Sequence, residues 1–293
     1  MKILLTGKNG QVGFELNKKL GTLGEVIATD REELDLTNLN AIETFIDHLK
    51  PDIIINPAAY TAVDKAESEP EMAYQINVRA VEILAKKAAE LDIPLVHFST
   101  DYVFDGLKKE PYIESDLTNP QSVYGKTKCE GEEKIRRHAK HIILRTSWVF
   151  GTHGNNFLKT ILRLIQEKES LNIVGDQWGS PASSSILSDV TFMIVDTVLK
   201  NKNFKDFGTY HITSDGETNW HEYANLIANE AIQLGCKIKC KGTQIAPILT
   251  SEYPTAAKRP LNSRLNTDKL KKTFMLELID WESEVKRVLR ELI

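Results

Sequence analysis

The chain has little cysteine: three residues, Cys129, Cys236 and Cys240, in a length of 293. They are too few and too scattered for a disulfide framework or a zinc site, so no metal centre is expected from them. A reducing, cytoplasmic setting fits that usage. No apolar run approaches the ~18 residues that a membrane helix needs. The first residues form a strand-like run with one lysine, not the charged head and small-residue cleavage site of a secretory signal. There is no dense Lys/Arg stripe, and the formal net charge is −4. That leaves no electrostatic case for nucleic acid. Low-complexity tracts and internal repeats are missing as well.

What is present is ordinary soluble-protein material, 41% hydrophobic and 27% charged, enough to bury a full core. The length suggests one large domain, or two that share a cleft. In the N-terminal half, short apolar runs alternate with helical patterns. Residues 2–6 (KILLT), 25–29 (EVIAT), 53–56 (IIIN), 95–99 (LVHFS) and 142–147 (IILRTS) read as strands buried on both faces. Between them Val12, Leu16, Leu20 and Leu23 form one helical stripe, and Val81, Leu84, Ala85 and Ala88 another. This rhythm predicts an α/β fold: a doubly wound parallel sheet of Rossmann type.

After about residue 150 the rhythm loosens. Residues 175–185 read as a Gly/Ser-rich loop, 209–213 as one more strand, 252–267 as irregular, and Trp281, Val285, Val288 and Leu292 as a last helix. The expected division is a dinucleotide-binding domain at 1–150, with 190–215 returning to it. Residues 151–189 and 216–293 make a smaller α/β substrate-binding lobe.

The first strand runs into GKNGQVG, with Gly7, Gly10 and Gly13 spaced by three. Glycine there leaves no Cβ between the backbone and a bulky anion. The helix that follows offers free N–H groups to a pyrophosphate. The spacing is GxxGxxG rather than GxGxxG, so its position in a first βαβ unit carries the reading. Asp30 closes the second strand, where an acid holds the adenosine ribose hydroxyls. Arg31 follows and suits a 2′-phosphate instead, which leaves NAD and NADP both open. Asp35 either accepts from an adenine amino group or caps a helix starting near Thr37.

Tyr124 and Lys128 sit at i and i+4 on one helix face. Ser99 and Thr100 end the fourth strand, on the edge where open α/β sheets bind ligands. Together they make a proton-transfer site. An ammonium ~5 Å from a phenol, at an effective dielectric of ~20, favours phenolate by about 3 kcal/mol. That brings the hydroxyl, ordinarily near pKa ~10, toward neutral exchange. Trp148 and Trp178 are either stacking surfaces for a sugar or base, or rim packing. Arg259 suits a diphosphate or a surface ion pair. His97, inside a strand, reads as a core histidine.

Eight stretches spread over almost the whole chain, TGKNGQVG (6–13), NPAAYTAVDKAE (56–67), NVRA (77–80), STDYVFDG (99–106), YGKTK (124–128), RTSWVFG (145–151), GDQWGSP (175–181) and RPLNSRL (259–265), carry a resemblance. The sequence resembles the extended short-chain dehydrogenase/reductase superfamily and, within it, the dTDP-4-dehydrorhamnose reductase family. The resemblance implies NADPH as cofactor, NADH often accepted too, and reduction of the 4-keto group of dTDP-4-dehydro-β-L-rhamnose. It implies Tyr124 as catalytic acid with Lys128 and Thr100 as partners. Gly10, Gln11 and Val12 match the phosphate turn, and Asp30, Asp35 and Leu36 the adenosine contacts. Ala59, Tyr60 and Thr61, with Ala58 beside them, match the segment lining the cofactor. Thr100, Asp101 and Trp148 match positions touching the sugar nucleotide. Some members use Mg2+ at a dimer contact, for which Glu15 and Glu291 are the residues at hand; a homodimer is left open. The chain departs at Pro57, where a small residue is expected, and in having Thr100 rather than the superfamily's usual Ser. A sugar-nucleotide epimerase or dehydratase on the same scaffold, and a non-catalytic regulatory subunit, are the competing readings.

Overall fold

A computed structural model describes residues 1–293. Its frame is one parallel sheet of β1 (Lys2–Leu5), β2 (Glu25–Ala28), β3 (Ile53–Asn56), β4 (Leu95–Thr100), β5 (His141–Thr146) and β6 (Gly208–His211). The spatial order is β6-β5-β4-β3-β1-β2. The order reverses between β1 and β3, which opens a crevice beyond their carboxyl ends. All six strands fall on the runs expected from sequence.

Side-chain alternation divides the core in two. Ile3, Leu5, Ile55, Val96, Phe98, Ile142 and Leu144 face one side, packed under α1 (Gln11–Leu20) and the long Ser184–Lys200 helix. Leu4, Ile54, Leu95 and Ile143 face the other, under α2 (Leu39–Leu49) and the Ala80–Glu90 helix, with Ile135 of the Val123–Ile135 helix. Stripes on α1 (Val12, Leu16, Leu20) and on the Ala80–Glu90 helix (Val81, Leu84, Ala88) supply those contacts, as helical periodicity requires.

A separate apolar cluster joins the helices Phe157–Glu167, Trp220–Gln233 and Trp281–Leu292. The stretch 175–185 is not one open loop. It holds two short strands, Trp178–Gly179 and Ala182–Ser183, and the first turn of the Ser184–Lys200 helix. Ser183 caps that helix by accepting from Ile186 N, so serines that read as loop residues are a helix start. Ile186 and Leu187 already belong to the sheet's core, as do Leu270, Phe274 and Leu276 further on.

Candidate active site

The turn after β1 is shaped by its glycines. Gly7 has φ +63°, which favours glycine, and a Cβ there would meet Ala58 at 3.0 Å. A Cβ on Gly13 would lie 2.0 Å from Gly7 O. Gly10 differs: the same oxygen, at 3.4 Å, is its only neighbour within 4 Å. Nothing within the protein forbids a side chain at Gly10, and its empty side faces a cleft at the N-terminus of α1.

Two clefts meet at this turn. One, of about 570 Å³, runs over Gln11 and Val12 to Ser99, Thr100, Asp101, Tyr124, Lys128 and Trp148. The other, of about 470 Å³, runs to Asp30, Arg31, Asp35, Leu36 and Tyr60. Gly7, Asn9, Gly10, Ala58 and Ala59 border both. Thr61 lines the first. The expected site residues therefore gather along one bent groove, save Arg259, which stands beside it.

At the β2 end, both Asp30 oxygens are engaged, by Asn9 Nδ2 and by Glu32 N. Lys8 pairs with Glu33, and the exposed Arg31 guanidinium stands 3.7 Å from Asp35. Asp35 does not cap α2. Its Oδ1 accepts from Thr37 N and Thr37 Oγ1, each at 2.9 Å, and Asn38 caps the helix through Ala41 N. The helix begins two residues later than its acid suggested, because an Asx turn intervenes.

Two glycines let the Val123–Ile135 helix lie close against the turn after β4 and the segment around Asn77. A Cβ at Gly125 would meet Tyr102 O at 2.3 Å, and one at Gly131 would meet Asn77 O at 2.2 Å. Ser122 caps it through Gly125 N at 3.1 Å. Asn77, in a π-helical turn over Gln75–Arg79, donates to Tyr60 O and Thr127 Oγ1. Such turns often mark functional segments; this one ties the segment after β3 to the tyrosine helix.

Tyr124 is buried and packs edge-to-face on Tyr102, centroids 5.4 Å apart. Thr100 Oγ1 donates to Asp101 Oδ1 at 3.0 Å and accepts from Tyr102 N at 3.2 Å. The acidified phenol expected from Lys128 is not built into the protein alone. Burial pushes Tyr124 up from its ordinary value, and only the nearby Thr100 hydroxyl opposes this. The reason is where the lysine points. Lys128 Nζ donates to Phe98 O at 2.6 Å and lies 3.0 Å from His97 Nε2. Burial lowers Lys128 to about 8, with Glu132 opposing. Asp101 is raised to about 6 by burial, against hydrogen bonds from Ser263 and Thr100. Its Oδ2, Ser99 Oγ and Thr146 Oγ1 are buried without partners.

Trp148 has φ +48°, strained for a bulky residue. One face of its ring stacks on Trp220, centroids 3.5 Å apart. Gly179 lies so close that a Cβ would meet Trp148 Cε2 at 2.5 Å. The ring is therefore wedged between protein groups rather than held open as a free stacking face. Arg259 is not free either: Nη2 donates to Asp64 Oδ2 at 2.6 Å, while its buried Nε has no partner. Glu15 pairs with Lys18 and Glu291 with Arg287. No group of three or more His, Cys, Asp or Glu gathers to hold a metal, so the magnesium expectation finds no support.

Residues 152–156 went unnoticed in the sequence. Asn156 Nδ2 donates to Gln11 Oε1 at 2.9 Å, His153 Nε2 lies 2.9 Å from Asn9 O, and His153 stacks on Phe14. This segment closes over the glycine turn, and Gly154 and Asn155 line the cleft. The Gly/Asn cluster GNN was the available signal.

A Rossmann-like sheet with a glycine turn at its switch point and a Tyr/Lys helix beside it defines the class of short-chain dehydrogenase-type reductases and epimerases. The family profile described as RmlD substrate binding domain matches residues 1–293, and the chain belongs to that family. It is 46% identical to the dTDP-4-dehydrorhamnose reductase of Shigella flexneri, over 100% of this chain and 98% of that one. Among solved structures, a dTDP-4-dehydrorhamnose reductase from Clostridium acetobutylicum superposes with a TM-score of 0.91 at 40% identity, covering 100% and 99% of the two chains. One from Bacillus anthracis in complex with NADP gives 0.88 at 34% identity, covering 99% of each. The UDP-glucose 4-epimerase of Thermus thermophilus, at 17% identity, shares the fold.

Proposed function

We propose that the chain is an NAD(P)H-dependent reductase of the 4-keto group of dTDP-4-dehydro-β-L-rhamnose, yielding dTDP-L-rhamnose. The observation that carries this reading is the single groove that joins the glycine turn to Thr100, Tyr124 and Lys128. The cofactor fits the residues present. Gly10 leaves a cradle that a Cβ would fill, and Ser99 Oγ and Thr146 Oγ1 are buried polar atoms that lack partners. Gly7, Gly10, Gln11, Val12 and Gly13 would hold the diphosphate at the positive end of α1. Asp30, Arg31, Asp35, Leu36 and Tyr60 would hold the adenosine half. Ala58, Ala59, Thr61, Ser99, Tyr124 and Lys128 would hold the rest. Arg31 and Lys8 beside Asp30 suit a 2′-phosphate or a free hydroxyl, so both NADPH and NADH fit this edge.

The nicotinamide, when bound, supplies a hydride to the ketone carbon. Tyr124 hands its proton to the ketone oxygen, and Thr100, turning its hydroxyl from Asp101 Oδ1, donates a hydrogen bond to that same oxygen. Lys128, charged, stabilises the phenolate left on Tyr124, an influence felt once ligands turn its third N–H into the groove. Asp101 and Trp148 border the sugar nucleotide. Arg259, already held at the rim by Asp64, takes the diphosphate with its unpartnered Nε. In this reading residues 1–150, with the helix and strand from 184 to about 215, form the dinucleotide-binding domain. The helices at 157–167, 220–233 and 281–292 form the substrate lobe.

Tyr124→Phe tests the proposal. NADPH oxidation with the keto sugar falls by at least ~10²-fold, the range of a lost general acid, while NADPH affinity measured by fluorescence stays within about threefold. Normal turnover by the variant would refute the assignment. An epimerase or dehydratase would consume no net NADPH, so stoichiometric oxidation separates the classes.

A further inference from the structure

Beneath Lys128 lies a row of polar side chains that the reaction, as described, does not use. Thr6 follows the last residue of β1, Asn56 ends β3, and His97 lies in β4. The strand register pairs Asn56 with His97 and Leu5 with Ile55, so all three stand side by side on the same face of the sheet, under the Val123–Ile135 helix. Each is essentially solvent-free. Thr6 Oγ1 donates to Asn56 Oδ1 at 2.5 Å, Asn56 Nδ2 lies 2.9 Å from His97 Nδ1, and His97 Nε2 lies 3.0 Å from Lys128 Nζ. The surrounding strand positions are Leu4, Ile54, Leu95 and Ile143, where an aliphatic row would cost nothing in desolvation.

The proton count in this row is constrained. Burial holds His97 well below the usual histidine range, with Lys128 acting in the same direction, so the ring is neutral with one N–H and one acceptor. If Lys128 is an ammonium, Nε2 accepts from it, and Nδ1–H donates to the Asn56 carbonyl oxygen. If Lys128 is an amine, Nε2–H donates to it, and Nδ1 accepts from the Asn56 amide nitrogen. The state of the lysine, the tautomer of the ring and the orientation of the amide change together. Other ionisable groups near the pair are Tyr124 and Glu132 on the same helix, Asp101 and Tyr102 after β4, Arg145 on β5 and His211 on β6. Glu132 is already paired with Arg145 and Arg136, and Thr6 and Asn56 carry no charge.

We propose that His97 is a positioning residue for the reduction: backed by Asn56 and Thr6, it fixes the place and the charge of Lys128, and through it the ease of proton release from Tyr124. The proposal rests on the reductase reading above. With Lys128 an ammonium and the Asn56 amide turned so that its carbonyl oxygen faces His97 Nδ1, Phe98 O and His97 Nε2 take two of the three ammonium hydrogens and leave one for the groove.

Two variants and one wild-type measurement test it. His97→Leu removes an acceptor from a buried ammonium. The alkaline limb of kcat/KM, expected near the lysine's value of about 8, moves down by about one pH unit, so activity falls about twofold at pH 7 and nearly tenfold at pH 9. His97→Gln restores an acceptor near Nε2 and brings the limb back toward wild type. A folded His97→Leu enzyme with an unmoved limb, or a His97→Gln enzyme no better than it, overturns the proposal. In 15N-labelled wild-type protein, the His97 ring stays neutral from pH 6 to 9 while its Nε2 signal follows the lysine. A ring that titrates near ~6.5 like a free histidine, or never responds, overturns it even if His97→Leu fails to fold. Should wild-type protein oxidise no NADPH with the keto sugar, the reductase reading fails instead, and the 15N result still reports on the row.

Discussion

Gly10 and Gly13 look alike in sequence, but the structure gives them opposite roles. Replace each with alanine. At Gly13 the new methyl would sit 2.0 Å from Gly7 O, 2.7 Å from Gly7 C and 3.2 Å from Lys8 Cα. All three are backbone atoms, so the turn must open by more than ~1 Å; overpacking on that scale costs about 1–3 kcal/mol or more. For a chain of this size that lowers Tm by about 3–10 °C. At Gly10 the backbone is extended at φ −78°, which alanine accepts, and the methyl projects into the groove. The fold loses under about 1 kcal/mol, the difference between glycine and alanine at an N-cap. The cofactor loses much more. One forfeited charge-assisted hydrogen bond from the α1 N-terminus costs about 1.5–3 kcal/mol, or about 10- to 100-fold in Kd. Thermal unfolding and NADPH fluorescence titration on the two proteins separate the effects. Wild-type affinity in Gly10→Ala would refute the reading of this turn as the diphosphate cradle. A Gly10→Ala melting point as low as that of Gly13→Ala would refute the packing argument.

Glu132→Gln leaves the buried Arg145 guanidinium, bonded to it at 2.9 and 2.7 Å, without its counter-charge; about 3–5 kcal/mol of stability is lost, read as a fall in the denaturant midpoint. Arg259→Ala raises KM for the sugar nucleotide about 10- to 100-fold and changes kcat little; steady-state kinetics checks this, and an unchanged KM removes Arg259 from the site. Asp101 is raised from 3.8 to about 6 on folding, so between those values the folded state holds a proton that the unfolded state has lost. Stability from this group is therefore present below pH ~4 and is lost as pH rises to ~6, by up to about 3 kcal/mol. Asp101→Asn lacks that slope, and chemical denaturation of both proteins between pH 4 and 7 would expose its absence.

The inner sheet was legible because parallel strands covered on both faces leave near-continuous apolar runs, and β1, β3, β4 and β5 carry such runs; the edge strands β2 (EVIA) and β6 (GTYH) are less buried or less apolar. The glycine turn was legible from its place between β1 and α1, and the Tyr124/Lys128 pair from helical spacing. What escaped the sequence depends on which way a side chain turns. Spacing alone cannot tell whether Lys128 faces a phenol or the strand beneath it; the strand won, because Phe98 O and His97 offer a buried ammonium two acceptors. Nor could it foresee that Trp148 would be wedged by Trp220 and Gly179, since those residues are distant in sequence. Asp35 misled for a local reason: an acid two residues before a threonine closes an Asx turn as readily as it caps a helix. The Ser183–Ser185 run was mistaken for loop because serine serves both turns and N-caps.

The polar groups at the carboxyl ends of the strands sort by whether the fold finishes them. Thr6, Asn56 and His97 form one row, and Lys128 closes it. Two residues further along β4, Ser99, Arg145 and His211 are register partners on the same face. That row is closed only in part: Glu132 takes two guanidinium hydrogens, yet Arg145 Nη1, His211 Nε2 and Ser99 Oγ have no partner. Thr146 Oγ1 and Asp101 Oδ2 are orphaned as well. Orphaned buried groups are costly and therefore rare. Ser99, Asp101 and Thr146 all border the groove, where a ligand can complete them; Arg145 and His211 do not. The fold completes the polar row that anchors the lysine, while the open hydroxyls of Ser99 and Thr146 and the open Asp101 oxygen lie along the same groove as the glycine turn, where a nucleotide and a ketone would be received.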